Sequence, residues 1–253
     1  MDNAKFNKIF SAVMLVGMTV ATIIATAIKF GPTAPDQRVL LIVSALGSLM
    51  GIAATVTSAN GLIITFIFGL INVCIYGSVC MINWYHGSSG LGNALLHFLF
   101  MGPMQIVGMA QWKKRGQEKG GGVKARRLSG KGRALVSVGF LAATIAAYFI
   151  IARFDRSAAD SFIKVAVVLD VLPLVCNIFG QTLMSTAYME QWIFWIGVNI
   201  FSIAMWSHSL SENPGSSYAL IYIIKYGFYL VNSINGMRNW LLLSREDAAA
   251  KAV

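Results

Sequence analysis

The stretch Gln191-Trp192-Ile193-Phe194-Trp195-Ile196-Gly197-Val198-Asn199 decides the reading of this chain. At helical spacing Trp192, Trp195, Asn199 and Trp206 fall on one stripe, with Gln191 beside it, so one face carries indole rings and amides while the opposite face stays apolar. Such a face suits a flat, polar, ring-bearing solute. A second reading stands beside it: Trp192 and Trp206 as interfacial belt residues, Trp195 as packing, and Asn199 as a helix-to-helix hydrogen bond.

Beyond this stretch the apolar character continues along the whole chain. With 57% hydrophobic and 12% charged residues, a soluble domain around a single core is excluded. Apolar runs long enough to cross a bilayer recur at about residues 8 to 29, 38 to 57, 61 to 84, 91 to 112, 134 to 153, 161 to 186, 189 to 210 and 217 to 243, which predicts eight spanning helices. Alternation of period two bounded by turn residues is missing, so the expected fold is an all-α integral membrane protein and not a barrel.

The net charge of +10 would point to nucleic acid in a soluble protein. Here the cations sit at helix ends and report orientation, so no nucleic-acid partner is expected. Nine of them fall between Lys113 and Arg133, which places that loop in the cytoplasm by the positive-inside rule. Counting spans outward puts both termini on the same side, in agreement with Lys5 and Lys8 at one end and Arg238, Arg245 and Lys251 at the other. The external loops, including Ser211 to Ser217 with its Asn213-Pro214-Gly215 turn, carry few cations. Ala25-Thr26-Ala27 resembles a cleavage site, but the first apolar run is too long for a signal peptide and reads as an uncleaved span. Cys74, Cys80 and Cys176 lie inside spans without metal-binding spacing and read as small hydrophobes, so no metal site is expected.

Within the spans, polar residues mark interior faces. Gly47 and Gly51 in the second span allow close helix approach. Phe68, Asn72 and Tyr76 share a stripe in the third; His97, Met101, Gln105 and Gly108 share one in the fourth, which Pro103 can kink. The loop Gly116 to Gly132, rich in glycine and cations, is expected to be flexible, to carry no fold and to lie against anionic lipid head groups. The fifth span has no polar stripe and reads as a connector. Asp170, Asn177 and Gln181 recur on one face of the sixth, with Pro173 between them, and cost several kcal/mol each if turned to lipid. The eighth carries Tyr218, Tyr222, Lys225, Tyr229, Asn232 and Gly236 on a single stripe.

Asp170 and Lys225 lie at similar depth, and with the eighth span expected beside the sixth they form a structural ion pair; the alternative makes Asp170 a counter-ion or proton carrier in the pathway. His97 is either a pathway ligand or a satisfied interior histidine. Glu190, at the start of the seventh span, is assigned to the helix dipole.

Spans 2 to 4 overlay spans 6 to 8: Phe68 and Asn72 fall on Trp195 and Asn199, and His97, Gly108 and Trp112 on Lys225, Gly236 and Trp240. Three helices are an odd number, so the fifth must intervene for the copies to run parallel. The expected architecture is 1+3+1+3: an extra helix (1–37), a three-helix bundle (38–112), the basic loop (113–133), a linker helix (134–160), a second bundle (161–243) and a tail (244–253).

The run Glu190-Gln191-Trp192-x-x-Trp195-x-x-x-Asn199, the segment Phe100-Met101-Gly102-Pro103-Met104-Gln105-Ile106-Val107-Gly108 followed by Gln111-Trp112-Lys113-Lys114, and the repeat together resemble the bacterial PnuC-type nicotinamide riboside transporters over about residues 38 to 243. The resemblance implies a fold like the SWEET sugar transporters, with the third helix of each bundle between the first two. It also implies facilitated diffusion, trapping of the solute by a cytoplasmic kinase, an inner-membrane location and a homotrimer without cofactors. The motif carried over is Gln191, Trp192, Trp195 and Asn199; Asn72 and Gln105 are the positions added from the first half, with Phe68, His97, Asn177, Tyr222, Tyr229 and Asn232 lining the path.

Nicotinamide riboside fits these residues chemically. Indole and phenol faces offer its pyridinium a cation-π surface, worth about 1 to 2 kcal/mol when dry, and amides both donate to and accept from a carboxamide and sugar hydroxyls. No arginine cluster points inward to meet a phosphate, which favours the nucleoside over its nucleotide. Thiamine or another nucleoside-like vitamin remains the alternative cargo, as relatives resembling this family move such solutes. An intramembrane enzyme is disfavoured by the lack of HExxH, paired carboxylates or a Ser/His/Asp set, and ATP-driven import by the lack of a P-loop.

Overall fold

The computed structural model describes residues 3–85, 94–115, 122–154, 165–212 and 217–250. Among the described residues eight α-helices occupy the eight expected places: α1 (Asn3–Phe30), α2 (Arg38–Ala59), α3 (Thr65–Tyr85), α4 (Gly102–Lys114), α5 (Gly130–Phe154), α6 (Val165–Ser185), α7 (Gln191–Glu212) and α8 (Ser217–Ala250). Five stretches among the described residues are long and apolar enough to cross a membrane: Lys5–Phe30, Pro35–Ala59, Thr65–Ile82, Gly130–Arg153 and Val167–Ser185. Among the remaining helices, α4 is short, and α7 and α8 carry the polar stripes that lower their hydropathy. The Asn213-Pro214-Gly215 turn and residues 116–121 lie outside the described residues.

Six helices close into a ring, each packed on the next in the order α2, α3, α4, α6, α7, α8 and back to α2. The middle helix of each trio therefore stands between the other two: α3 separates α2 from α4, and α7 separates α6 from α8. The resemblance implied the third helix in that place, and the packing corrects this. α1 covers the α2/α8 seam, setting Met14 and Met18 against Ile52, Val56 and Phe228, while Val13, Val16 and Val20 point outward. α5 packs chiefly on α6, with Phe140 and Ala147 against Val167, Val171 and Val175, and Phe140 also meets Phe194 of α7 at 5.4 Å.

Local chemistry explains the irregular places. Pro103 has no N–H to give to the preceding turn, and Leu96–Met101 ahead of it relaxes into a π turn in which Gly102 N–H reaches back to His97 O. The Gly47/Gly51 groove receives the α3 side chain Asn72, whose Nδ2 donates to Gly47 O at 2.6 Å. α8 runs past the expected membrane edge at 243 to Ala250, because its continuation is polar but rich in helix-forming residues.

The main apolar cluster gathers at the end of the ring nearest the basic loop: Phe66, Trp112, Trp192 and Trp240, with Ala59 and Ala187. Trp112 Nε1 donates to Met184 O at 2.8 Å, and Trp240 Nε1 donates to Ser58 O at 2.9 Å, so each trio reaches into the other. The turns after α2 and α6 match as well, with Gly61 at φ +67° and Ala187 at φ +61°.

The basic loop overturns one expectation. Residues 122–129 are an ordered strap: Val123 and Ala125 are each 1% exposed inside this same cluster, and Arg126 pairs with Tyr188 in a parallel β-bridge. The reason is an alternation of small apolar side chains that the surrounding glycines and cations masked. Glu190 serves this strap: its carboxylate accepts from Leu128 N–H at 3.1 and 3.2 Å and pairs with Arg133 at 3.2 Å. α5 also begins at Gly130, inside the segment read as loop.

Candidate functional site

α7 begins beside the strap, so Gln191 and Trp192 sit at the closed end of the ring and Asn199 lies about 12 Å further along the axis. Gln191 is fully buried; its Oε1 accepts from Trp195 Nε1 at 3.4 Å and its Nε2 has no partner. Trp192 packs on Gly236, where a methyl group would overlap its ring, and meets Trp240 edge-on at 6.3 Å. Its Nε1 is also buried without a partner. These surroundings exclude the belt reading for Trp192. Trp195 is half-buried, with its ring against Gly180 of α6.

At the next level the amides link helices. Gln105 Nε2 on α4 donates to Gln181 Oε1 on α6 at 3.3 Å, Gln181 Nε2 donates to Ser185 Oγ at 3.0 Å, and Ser185 Oγ donates to Met104 O at 2.8 Å. Gln105 Oε1 is buried without a partner. On the other side Asn199 Nδ2 donates to Ser233 Oγ at 3.0 Å, and Asn232 Nδ2 donates to Thr55 O at 3.2 Å. The amides thus hold together both seams of the ring, α4/α6 and α8/α2. Three of the polar atoms here, Gln191 Nε2, Trp192 Nε1 and Gln105 Oε1, keep unspent hydrogen-bonding capacity away from water, which is costly unless a ligand takes it up.

The far half of the ring is aromatic. Trp206 stacks on Tyr222 at 4.2 Å and 10°, and Tyr76 lies 4.6 Å from His97. Lys225 stands over the rings of Tyr222, Tyr226 and Tyr229 at 5.6 to 5.9 Å.

Other expected positions fall elsewhere. Asn72 spends its donor on Gly47 of α2, and Asn177 spends its own on Pro173 O one turn back in α6, at 2.8 Å. Asp170 occupies an exposed position of α6, and Lys225 on α8 stands over tyrosine rings of its own helix. The eighth span is expected beside the sixth, whereas α7 stands between α6 and α8. Phe68 is half-buried, and it is Phe66 that packs on Gly108 as Trp192 packs on Gly236. α3 and α7 accordingly match one residue away from the expected register: Thr65 with Gln191, Phe66 with Trp192, Gly69 with Trp195. Ser233 was missed; it is the residue after Asn232 in a span read only for its largest polar groups.

A family model described as nicotinamide mononucleotide transporter matches residues 41–242. The chain is 32% identical over 213 residues to the nicotinamide riboside transporter PnuC of Haemophilus influenzae, covering 83% of this chain and 81% of that one. It is 30% identical over 209 residues to the PnuC of Neisseria mucosa, covering 81% and 74%. The crystal structure of a vitamin B3 transporter PnuC superposes with a TM-score of 0.66 at 28% identity, over 94% of this chain and 93% of that one.

Proposed function

We propose, since this chain belongs to the nicotinamide mononucleotide transporter family, that it is a multi-pass membrane protein carrying nicotinamide riboside by facilitated diffusion. Although the family's description names the nucleotide, the relatives' names specify the riboside, and the chemistry of the ring agrees with them. The observation that carries the reading is the set of buried unpaired atoms, Gln191 Nε2, Trp192 Nε1 and Gln105 Oε1, the first on the same amide that accepts from Trp195 Nε1. A carboxamide and ribose hydroxyls supply both donors and acceptors for those atoms. Trp195 offers the pyridinium a ring face. Lys225 lies about 10 Å along α8 from Asn232, and at the other end Arg133 is engaged by Glu190 and Arg126 lies over Tyr188, so among the described residues none of these three cations is committed to a 5'-phosphate among the amides.

In this reading α2–α4 and α6–α8 are two parallel copies related by an axis along the membrane normal, with α1 outside them and α5 as linker. The reciprocal indole bonds and the matched turns at Gly61 and Ala187 support it. The basic loop and both termini face the cytoplasm, the membrane is the bacterial inner membrane, and three chains assemble. Cytoplasmic phosphorylation traps the solute. Titration of the purified protein with nicotinamide riboside, its 5'-phosphate, nicotinamide and thiamine tests the cargo: measurable affinity for the first and a large loss for the phosphate are expected, and equal affinity for the two would refute the charge argument. Labelled solute should exchange across sealed vesicles without an ion gradient or ATP.

A further inference from the structure

The strap 122–129 crosses one end of the ring. Its backbone joins the two matching turns: Val123 N–H donates to Gly61 O at 3.0 Å, Arg126 N–H to Ala187 O at 2.8 Å, and Met189 N–H to Arg126 O at 2.8 Å. Val123 and Ala125 fill the space among Trp112, Trp192 and Trp240. Farther along, Leu128 N–H is held by Glu190, and Arg127 Nε donates to Ser244 Oγ on α8 at 2.8 Å. The strap thus ties the α2–α3 turn, the α6–α7 turn and α8 together across the seam, and the turn it grips at Met189 leads directly into Gln191 and Trp192.

Val123 and Ala125 are buried in the same apolar cluster as Trp192, the residue next to Gln191, so a solute leaving the amides toward this end would meet them. Among the described residues one backbone bond, Val123 N–H to Gly61 O, holds the buried pair itself, and Gly122 just ahead of it carries no side chain to obstruct withdrawal. We propose that residues 122–129 are a removable inner gate, which leaves its place between the Gly61 and Ala187 turns each time solute passes to the cytoplasmic side. This rests on the transport reading above.

The test locks the strap in place. Arg126 and Tyr188 face each other across the β-bridge, within reach of a disulfide. R126C/Y188C, in a background with Cys74, Cys80 and Cys176 changed to Ala, is reconstituted in vesicles and assayed for nicotinamide riboside binding and exchange before and after oxidation. Oxidation should slow exchange at least tenfold, leave affinity within about twofold, and be reversed by reductant. Fully cross-linked protein that exchanges at the reduced rate would overturn the gate. A second variant, A125C in the same background, should react with a membrane-impermeant maleimide several-fold faster during nicotinamide riboside exchange than without solute; equal rates would overturn the gate as well. Wild-type vesicles that exchange no nicotinamide riboside would overturn the transport reading itself, and the gate with it.

Discussion

Gln191→Met separates the cost of an idle donor from its use. Gln191 is fully buried, and its Nε2 lacks a partner in the ligand-free ring. An unmade buried hydrogen bond costs about 1 to 3 kcal/mol. Methionine has a similar length and no such demand, and the change gives up only the Trp195 Nε1 bond, which at 3.4 Å is long and worth about 0.5 kcal/mol at most. Ligand-free Gln191→Met should therefore be more stable than wild type by roughly 1 kcal/mol, raising its melting temperature by about 2 to 4 °C for a chain of this size. Binding should move the opposite way. If Nε2 donates to the solute, its loss costs about 1 to 3 kcal/mol, a fall in affinity of roughly 5- to 150-fold. Thermal unfolding in detergent without solute and calorimetric titration with nicotinamide riboside measure the two effects on one preparation. A variant that melts lower than wild type and binds equally well would refute the reasoning, because it would make Gln191 part of the scaffold.

Asn72→Ala should show the converse. Its Nδ2 is committed to Gly47 O, so stability falls by about 1 to 2 kcal/mol while affinity for nicotinamide riboside stays within twofold, as melting and titration would show. A tenfold loss of affinity would return Asn72 to the pathway. Trp112→Phe and Trp240→Phe should destabilise equally, by about 1 to 3 kcal/mol each, since each removes one indole bond from a carbonyl that keeps its turn N–H, Ala187 to Met184 O and Gly61 to Ser58 O. Losses differing by more than about 2 kcal/mol in chemical unfolding would contradict the equivalence of the two trios.

The helices were legible because twenty-residue apolar runs interrupted by glycine, proline and cations have one economical solution in lipid. The overrun of α8 was not, since hydropathy marks where the bilayer ends and not where the helix does. The one-residue slip between α3 and α7 came from matching side-chain chemistry, Asn72 on Asn199, whereas the register is set by the turns at Gly61 and Ala187 from which both helices start. The strap escaped because composition averages over a segment, and two buried side chains, Val123 and Ala125, vanish among glycines and cations. The burial of Gln191 and Asn199 was readable from the stripe that carries Trp195 and Asn199, with Gln191 beside it. Which partners their amides would find depended on the order of helices around the ring, and that order is not written in any single span.

The same register bears on how many solute molecules the proposed transporter would hold. Where the second carries Gln191, Trp192 and Trp195, the first carries Thr65, Phe66 and Gly69. Thr65 spends its hydroxyl on Ala54 O at 2.8 Å. The space above Gly69 is taken by the amide of Gln105, which any Cβ there would strike, and Gln105 in turn reaches across the seam to Gln181. On the first side, then, the niche is filled by the protein's own amide, while on the second an indole and an unpaired amide donor remain for a ligand. A twofold scaffold with one niche consumed predicts a single nicotinamide riboside per chain, measurable as calorimetric stoichiometry on protein of known active fraction. Two equivalents bound with similar affinity would mean that Gln105 gives way and that the first trio binds solute as the second does.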